Sequence, residues 1–281
     1  MTLLSFKQKL YATLESHYPT SEIDSFFKII LEDVLNLSKI DFALEPNKIV
    51  SDDKNTKIDQ IISRLAEHQP IQHLIGFTEF MDLKIMVNEH VLIPRPETEE
   101  LIRWILNDYS MAPNLDVLDI GTGSGCIPIA LSKSLNDANI NTIDISTKAI
   151  ETAKKNAEIN KVNINFIHQD ILTTNQLSQQ YDVIVSNPPY VRNLEKAEMQ
   201  KNVLEFEPHL ALFVEDNDPL IFYKKIAELA ISALKSKGAL YYEINQYLGK
   251  ETIELLKQIG FKNIELKKDM FGNDRMIKAT F

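Results

Sequence analysis

Two periodicities divide the chain. Over residues 1–70 apolar side chains recur every three or four positions: Leu3, Phe6, Leu10 and Leu14, then Phe27, Ile30, Val34 and Leu37, then Ile58, Ile61 and Leu65. A stripe of that spacing lies along one face of a helix, so a small bundle of short amphipathic helices is expected. Polar connections are expected at Pro19-Thr20-Ser21, with Ser21 as an N-cap, and from Ser51 to Lys57. Between residues 71 and 93 the pattern turns partly alternating. Phe80-Met81-Asp82-Leu83-Lys84-Ile85-Met86-Val87 ahead of a turn at Asn88-Glu89 predicts a strand or β-hairpin linker between two domains.

Residues 94–281 read as a second domain. Pro96 suits the first position of a helix whose buried face is Leu101, Trp104, Ile105 and Leu106. Glu97, Glu99 and Glu100 suit its positive end, and dipole matching is the reading for at least two of them. Short apolar strands then alternate with helical patterns. Strands are expected at 117–120, 140–143, 164–167, 181–185 and 238–244, and helices at 126–134, 147–160, 220–234 and 246–259. Two strands close the chain, near 261–266 and 275–281. Alternation of this kind predicts an α/β fold with a mostly parallel sheet and helices on both faces. Ligands of such sheets bind beyond the carboxyl ends of the strands. The stretch Asp119 to Gly125, and Asp144, Asp170 and Asn187, all fall at such ends.

Composition narrows the class. With 281 residues, 44% hydrophobic and 25% charged, the chain is an ordinary globular protein. No run approaches ~20 apolar residues, and Met1 to Lys7 resembles neither a signal peptide nor a transit peptide. A cytoplasmic protein without a membrane partner is expected. Cys126 is the only cysteine, which excludes an intrachain disulfide and a cysteine metal cluster; it reads as a small helix-packing residue. The six histidines include no pair at metal-binding helical spacing. The formal charge of −10 is shared by both regions, so neither is a basic arm and no direct nucleic-acid partner is expected.

The candidate chemistry centres on Ser186-Asn187-Pro188-Pro189-Tyr190, at the tip of the apolar strand 181–185. Proline has a fixed φ and no N–H, so this corner offers carbonyls and the Asn187 amide in a stiff, donor-poor frame. An amino group needs acceptors for its two hydrogens, and the Asn187 oxygen and Pro188 carbonyl are candidates. Tyr190 then offers a flat face for a planar group. The simpler alternative is a proline turn closed by an aromatic plug.

A second candidate is Gly121-Thr122-Gly123-Ser124-Gly125. Its third glycine comes one residue early for the dinucleotide pattern G-x-G-x-x-G, because Cys126 stands where Gly is required. Closely spaced glycines still let a ligand approach the backbone, here the amino-acid part of a nucleoside cofactor. Asp144, at the next strand end, is placed to accept from ribose hydroxyls or, alternatively, to cap the helix beginning at Thr147. Asp170 or the backbone of Ile171 could meet an adenine edge.

These stretches carry a family resemblance. Val91-Leu92-Ile93-Pro94-Arg95-Pro96-Glu97-Thr98-Glu99, Asp119 to Ile127, Ser186 to Tyr190 and the closing Asp274-Arg275 resemble the release factor glutamine methyltransferases (PrmC/HemK). That family lies within the seven-stranded, Rossmann-like methyltransferases that use S-adenosylmethionine. The Ile-Pro-Arg-Pro-Glu-Thr string discriminates, since Asn-Pro-Pro-Tyr also occurs in enzymes that methylate adenine N6. The resemblance implies that Gly121, Thr122, Gly123, Ser124, Gly125, Asp144, Asp170, Ile171 and Asn187 hold the cofactor. It implies that Asn187, Pro188, Pro189 and Tyr190 hold a substrate glutamine, with Asn187 and Pro188 catalytic. The expected partners are class I peptide chain release factors, docked on the N-terminal bundle, and the expected state is a monomer. Two departures stand out: Asn245 where the family usually has Gly, and Phe213-Val214-Glu215 without the glycines common there. The alternatives are a methyltransferase for exocyclic amino groups of nucleic acid and a non-catalytic binding module.

Overall fold

A computed structural model describes residues 1–281, which divide into two compact units. The first comprises Met1–Gly76 and Gln200–Phe206. Its helices are α1 (Leu3–Leu14), α2 (Thr20–Ile29), α3 (Lys39–Leu44), α4 (Asp52–Ala66) and α5 (Ile71–Ile75), with a π-helical turn, Ile30–Val34, continuing α2. The apolar stripes read from the sequence form one core of Leu3, Phe6, Leu10, Phe27, Ile30, Ile58, Ile61 and Leu65. Thr2 and Ser38 cap α1 and α3 through reciprocal bonds with Ser5 and Asp41.

The polar residues around 51–57 proved misleading. They are not a connection but the first turns of α4, with Ser51 at the N-cap position and Asp52 and Asp53 at the positive helix end. Ser21 likewise lies inside α2, whose N-cap is Pro19; the Pro19 carbonyl accepts from Glu22 N and Ile23 N.

The second unit, Phe77–Met199 and Glu207–Phe281, opens with an antiparallel hairpin, β1 (Phe77–Phe80) and β2 (Leu83–Met86). Its turn is Met81-Asp82, at φ +51° and +59°, rather than Asn88-Glu89. Left-handed φ at two consecutive residues matches the twist of a two-residue hairpin, a conformation that Gly or Asn would have signalled and Met did not. The buried Asn156 fastens the hairpin: its side chain accepts from Met86 N at 2.7 Å and donates to the carbonyls of Met86 and Ser124 at 2.9 and 2.8 Å.

Then follow α6 (Pro96–Tyr109), β3 (Asp116–Ile120), α7 (Cys126–Ser134), β4 (Asn139–Asp144), α8 (Thr147–Ile159), β5 (Asn165–His168), β6 (Tyr181–Ser186) and the two-residue β7 (Val191–Arg192). The short α9 (Lys201–Phe206) belongs to the first unit. After it come α10 (His209–Leu212), β8 (Phe213–Val214), α11 (Ile221–Ala233), β9 (Leu234–Glu243), α12 (Gly249–Ile259), β10 (Asn263–Lys268) and β11 (Asp274–Thr280). No helix is long and apolar enough to cross a membrane.

Seven strands form one mixed sheet in the order β10-β11-β9-β6-β3-β4-β5. β11 runs antiparallel between its neighbours and the other pairings are parallel. One face packs Val117, Val183 and Tyr241 with Leu101, Ile105 and Ile129 of α6 and α7; the other packs Leu118, Ile184 and Leu240 with Ile226 and Leu256 of α11 and α12. The fold is therefore the seven-stranded α/β arrangement expected.

Register places the site. Ile120 pairs with Ile143 and Ser186, and Ser186 with Tyr242, so the next residues, Gly121, Asp144, Asn187 and Glu243, come side by side at the carboxyl edge of the sheet. After β3 the chain builds outward through β4 and β5, then returns to place β6 and β9 on the other side. That reversal opens a crevice between the tips of β3 and β6.

Gly125 shows how tightly the turn after β3 is packed. It has φ +82°, and a Cβ there would lie 3.0 Å from Ala153 Cβ and 3.1 Å from Ile129 Cδ1. Gly125→Ala combines left-handed strain with overpacking and is expected to cost about 2 kcal/mol or more. A chemical-denaturation midpoint equal to wild type would contradict this.

Candidate active site

A cavity of about 240 Å³ occupies the crevice. The glycine turn contributes Gly121, Thr122, Gly123 and Ser124 to its wall, the β4 tip Asp144, the segment after β5 Asp170 and Ile171, and the β6 tip Asn187, Pro188 and Pro189. Gly125 and Tyr190 are not part of that wall, contrary to expectation. Gly125 begins α7 and packs against α8, as its close neighbours show. The Tyr190 ring packs with the cluster containing Ile184, Tyr223 and Ile226, and its hydroxyl donates to Glu243 Oε1 at 3.0 Å. A long apolar ring next to a buried carboxylate finds both partners underneath the corner, so it does not serve as an open face.

The glycine turn is held by β4. Gly121 N and Thr122 N donate to the Ile143 carbonyl at 2.8 and 3.2 Å, and Gly123 N donates to Asp144 Oδ2 at 2.9 Å. Gly121 has φ +88°, and a Cβ there would stand 3.8 Å from the Asn187 carbonyl, so the turn and the Asn187 corner are immediate neighbours. Asp144 Oδ1 accepts from Ser146 N at 2.8 Å. The cap of α8 is Ser146, whose hydroxyl accepts from Ala149 N, so Asp144 does not cap that helix. Burial raises the Asp144 pKa, and the Ser146 and Gly123 amides oppose the shift. Asp170 Oδ1 accepts from Leu172 N at 2.9 Å, which fixes the backbone around Ile171.

Beneath the turn lies Asp119, fully buried. Thr142 donates to its Oδ2 at 2.6 Å, while Oδ1 has no hydrogen-bond partner. Burial pushes its pKa up to about 7; the Thr142 hydroxyl works against that and the Asp144 charge adds to it. Burial also pushes the Cys126 thiol up to about 12, so it is no nucleophile at neutral pH.

Asn187 Nδ2 donates to Thr98 Oγ1 at 3.3 Å, and the Thr98 hydroxyl donates to Glu243 Oε2 at 2.6 Å. The rest of the wall comes from segments far apart in sequence: His90 to Leu92, Pro94, Arg95 and Thr98 on one side, and Pro208, Leu210, Ala211, Phe222 and Ile226 on another. Arg95 is bound to the buried Glu207, whose second oxygen accepts from Ile93 N at 3.2 Å. That ion pair joins two wall segments. The acids of α6 also do more than match the helix dipole: Glu99 Oε1 accepts from Met81 N at 2.8 Å and Glu100 Oε1 from Met270 N at 3.0 Å.

Residues 101–207 match the family described as Methyltransferase small domain, and residues 8–76 match the PrmC N-terminal domain. A protein of Flavobacterium psychrophilum named release factor glutamine methyltransferase is 53% identical over 284 residues, spanning 100% of both chains. A protein of the same name from Bacteroides thetaiotaomicron is 42% identical over 95% of this chain and 96% of its own. The chain belongs to the release factor glutamine methyltransferase family. It is an enzyme, and its methyl donor is S-adenosylmethionine. Solved structures share the fold at low identity. The hMettl16 catalytic domain, solved with an RNA hairpin, has a TM-score of 0.56 at 18% identity, covering 82% of each chain. A Pyrococcus furiosus methyltransferase has a TM-score of 0.53 at 16% identity, covering 82% of this chain and 98% of that one.

Within the family pattern, Asn245 is the departure the structure explains. It is buried, and its Nδ2 donates to the Tyr190 carbonyl at 2.9 Å and to the Glu195 oxygens at 3.1 and 3.0 Å. Where a glycine would have no side chain, this member braces the end of the Asn-Pro-Pro-Tyr corner. Thr98, within the Ile-Pro-Arg-Pro-Glu-Thr string, and Glu243, at the end of the strand expected at 238–244, carry no role that the sequence alone signals. Their only signal was a polar residue beside an apolar run, which dipole and solvent explanations also satisfied.

Proposed function

We propose that this chain transfers a methyl group from S-adenosylmethionine to the side-chain nitrogen, N5, of the glutamine in the Gly-Gly-Gln loop of class I release factors. The observation that carries the reading is the contact of two chemically distinct corners, the acceptor-rich Asn187-Pro188-Pro189 tip and the glycine turn with Asp144, in one crevice.

The residues present fit the methyl donor. Asp144 is a partly desolvated carboxylate at a strand tip, suited to a ribose diol. Asp119 holds a buried carboxyl oxygen with no partner, suited to the field of a ligand cation. Gly121, Thr122, Gly123 and Ser124 would receive the amino-acid portion, with Asp170 and Ile171 at the adenine. Bound there, S-adenosylmethionine supplies an electrophilic methyl group on a sulfonium.

The chain's own residues do the rest. An amide nitrogen is a poor nucleophile because its lone pair is delocalised. Asn187 Oδ1 and the Pro188 carbonyl accept the two N–H bonds of the glutamine side chain and so hold the nitrogen in one orientation. As the N–C bond forms and the bond from the methyl carbon to sulfur breaks, its electron pair staying on sulfur as a neutral thioether, positive charge grows on that nitrogen and both acceptors bind more strongly. The nitrogen becomes acidic only at this stage, so no strong base is needed before attack, and one proton passes along one of these hydrogen bonds and on to solvent water as the product amide forms. Apolar wall residues such as Ile120, Phe222 and Ile226 would limit the access of water to the reacting atoms. The helical unit docks the release factor, and the enzyme works as a cytoplasmic monomer with a protein partner, in keeping with a formal charge of −10.

Incubation with methyl-labelled S-adenosylmethionine and purified release factor tests the reading. Label is expected on the factor carrying the loop glutamine and absent when that glutamine is replaced by alanine. Label on nucleic acid instead would overturn it.

A further inference from the structure

We propose that Glu243, acting through Thr98, fixes which end of the Asn187 side chain faces the substrate, and thereby makes the site select a carboxamide over a carboxylate. This rests on the reading that Asn187 holds the accepting nitrogen. Asn187 carries one acceptor and one donor end of nearly the same shape, and a threonine hydroxyl, able to donate or accept, would satisfy either orientation. Glu243 removes that freedom. It is 1% exposed, and as a carboxylate it only accepts. The Thr98 hydroxyl lies 2.6 Å from Oε2, a charge-assisted bond that commits its only hydrogen. What Thr98 then offers Asn187 is a lone pair. The Asn187 amide answers with Nδ2 at 3.3 Å, and Oδ1 is left as the end turned away from Thr98.

One further hydrogen bond and one nearby cation act on Glu243. Tyr190 donates to Oε1 at 3.0 Å, so both carboxylate oxygens are occupied by hydroxyl donors. Burial raises the Glu243 pKa and the nearby Glu97 adds to it, while the Thr98 and Tyr190 hydroxyls and the positive charge of Arg275 work the other way, towards the carboxylate. Arg275 is itself anchored, Nε on Asp269 at 3.0 Å and Nη1 on the Ile244 carbonyl at 3.2 Å. The relay thus runs from the β9 tip through α6 to the β6 tip, and it reaches the cavity at Thr98 and Asn187.

The consequence concerns the substrate. A glutamine side chain ends in NH2 and finds an oxygen to bond. A glutamate side chain ends in oxygens alone and meets the lone pairs of Asn187 and of the Pro188 carbonyl. Glu243 and Thr98 are positioning residues: they act through the Asn187 side chain, and Glu243 stands outside the cavity wall.

The test uses the full-length enzyme with two forms of a purified class I release factor, one carrying the loop glutamine and one with glutamate there as a competitive inhibitor. Wild type is expected to prefer the glutamine form. Thr98→Val, which lets the Asn187 amide rotate and donate to a carboxylate, is expected to narrow that preference about tenfold or more. It should lower kcat more than it raises KM, with S-adenosylmethionine affinity by calorimetry unchanged. Thr98→Ser should restore the preference. Glu243→Gln, whose amide can donate to Thr98 and release its proton, should act like Thr98→Val and keeps the test decisive if that variant misfolds. Unchanged discrimination in a folded Thr98→Val or Glu243→Gln enzyme, with methylation lost in Asn187→Ala, would overturn the relay and leave the proposed function standing. Normal methylation by Asn187→Ala would overturn both.

Discussion

Asn187→Ala is expected to lower single-turnover methylation of release factor by roughly 10²-fold or more while S-adenosylmethionine binds nearly as before. Alanine removes Oδ1, the side-chain acceptor of the corner, and leaves the Pro188 carbonyl to orient an NH2 group alone. The nitrogen then samples rotations in which its lone pair is not aimed at the methyl carbon, and the charge that grows on it loses an acceptor in a desolvated site. Cofactor affinity should survive because the contacts that shape the glycine turn do not involve the Asn187 side chain: Gly121 N, Thr122 N and Gly123 N are held by β4. Near-normal turnover would remove Asn187 from the mechanism.

Asp144→Ala is expected to show the opposite signature, a loss of S-adenosylmethionine affinity of roughly 10²-fold or more in calorimetry, since a hydrogen bond to a charged group contributes about 1.5–3 kcal/mol. Two losses combine. The ribose hydroxyls lose their acceptor, and Gly123 N and Ser146 N, which donate to the two oxygens at 2.9 and 2.8 Å, lose theirs. The second loss loosens the turn that receives the amino-acid part of the cofactor. Asp144→Asn keeps one acceptor oxygen and should fall between wild type and alanine. An alanine variant that binds as tightly as wild type would show that the carboxylate serves the turn's shape and not the ligand.

The two signatures separate because the residues sit on different strands. Asn187 ends β6 and Asp144 ends β4, with β3 and its glycine turn between them. A change at either tip reaches the other only through that turn.

Periodicity and residue type sufficed for much of the second unit. β-branched runs ending on Asp119-Ile120, Asp144 and Ser186-Asn187 are strands wherever they are buried on both faces, and the alternation with helices forces parallel pairing. The glycine turn and the two prolines are legible because they constrain φ locally, whatever surrounds them. The same local logic failed where the cue depends on which side faces water. The polar stretch after Ser51 is helical because its outward face is solvated, and Met81-Asp82 turns without a glycine because the paired strands impose the twist.

What the chain's order of residues determined by itself is the set of strand tips and their chemistry: glycines at one, a carboxylate at the next, an acceptor-rich proline corner at the third. Tertiary structure alone decided which of these meet and what stands behind them. Thr98 is 89 positions from Asn187 and 145 from Glu243, yet the three form one hydrogen-bonded chain. Tyr190 was withdrawn from the wall to serve the same carboxylate. Such partnerships are invisible in a linear reading because a hydroxyl or carboxylate has many possible partners in solution, and only the burial of the β9 tip beside α6 narrows them to these few.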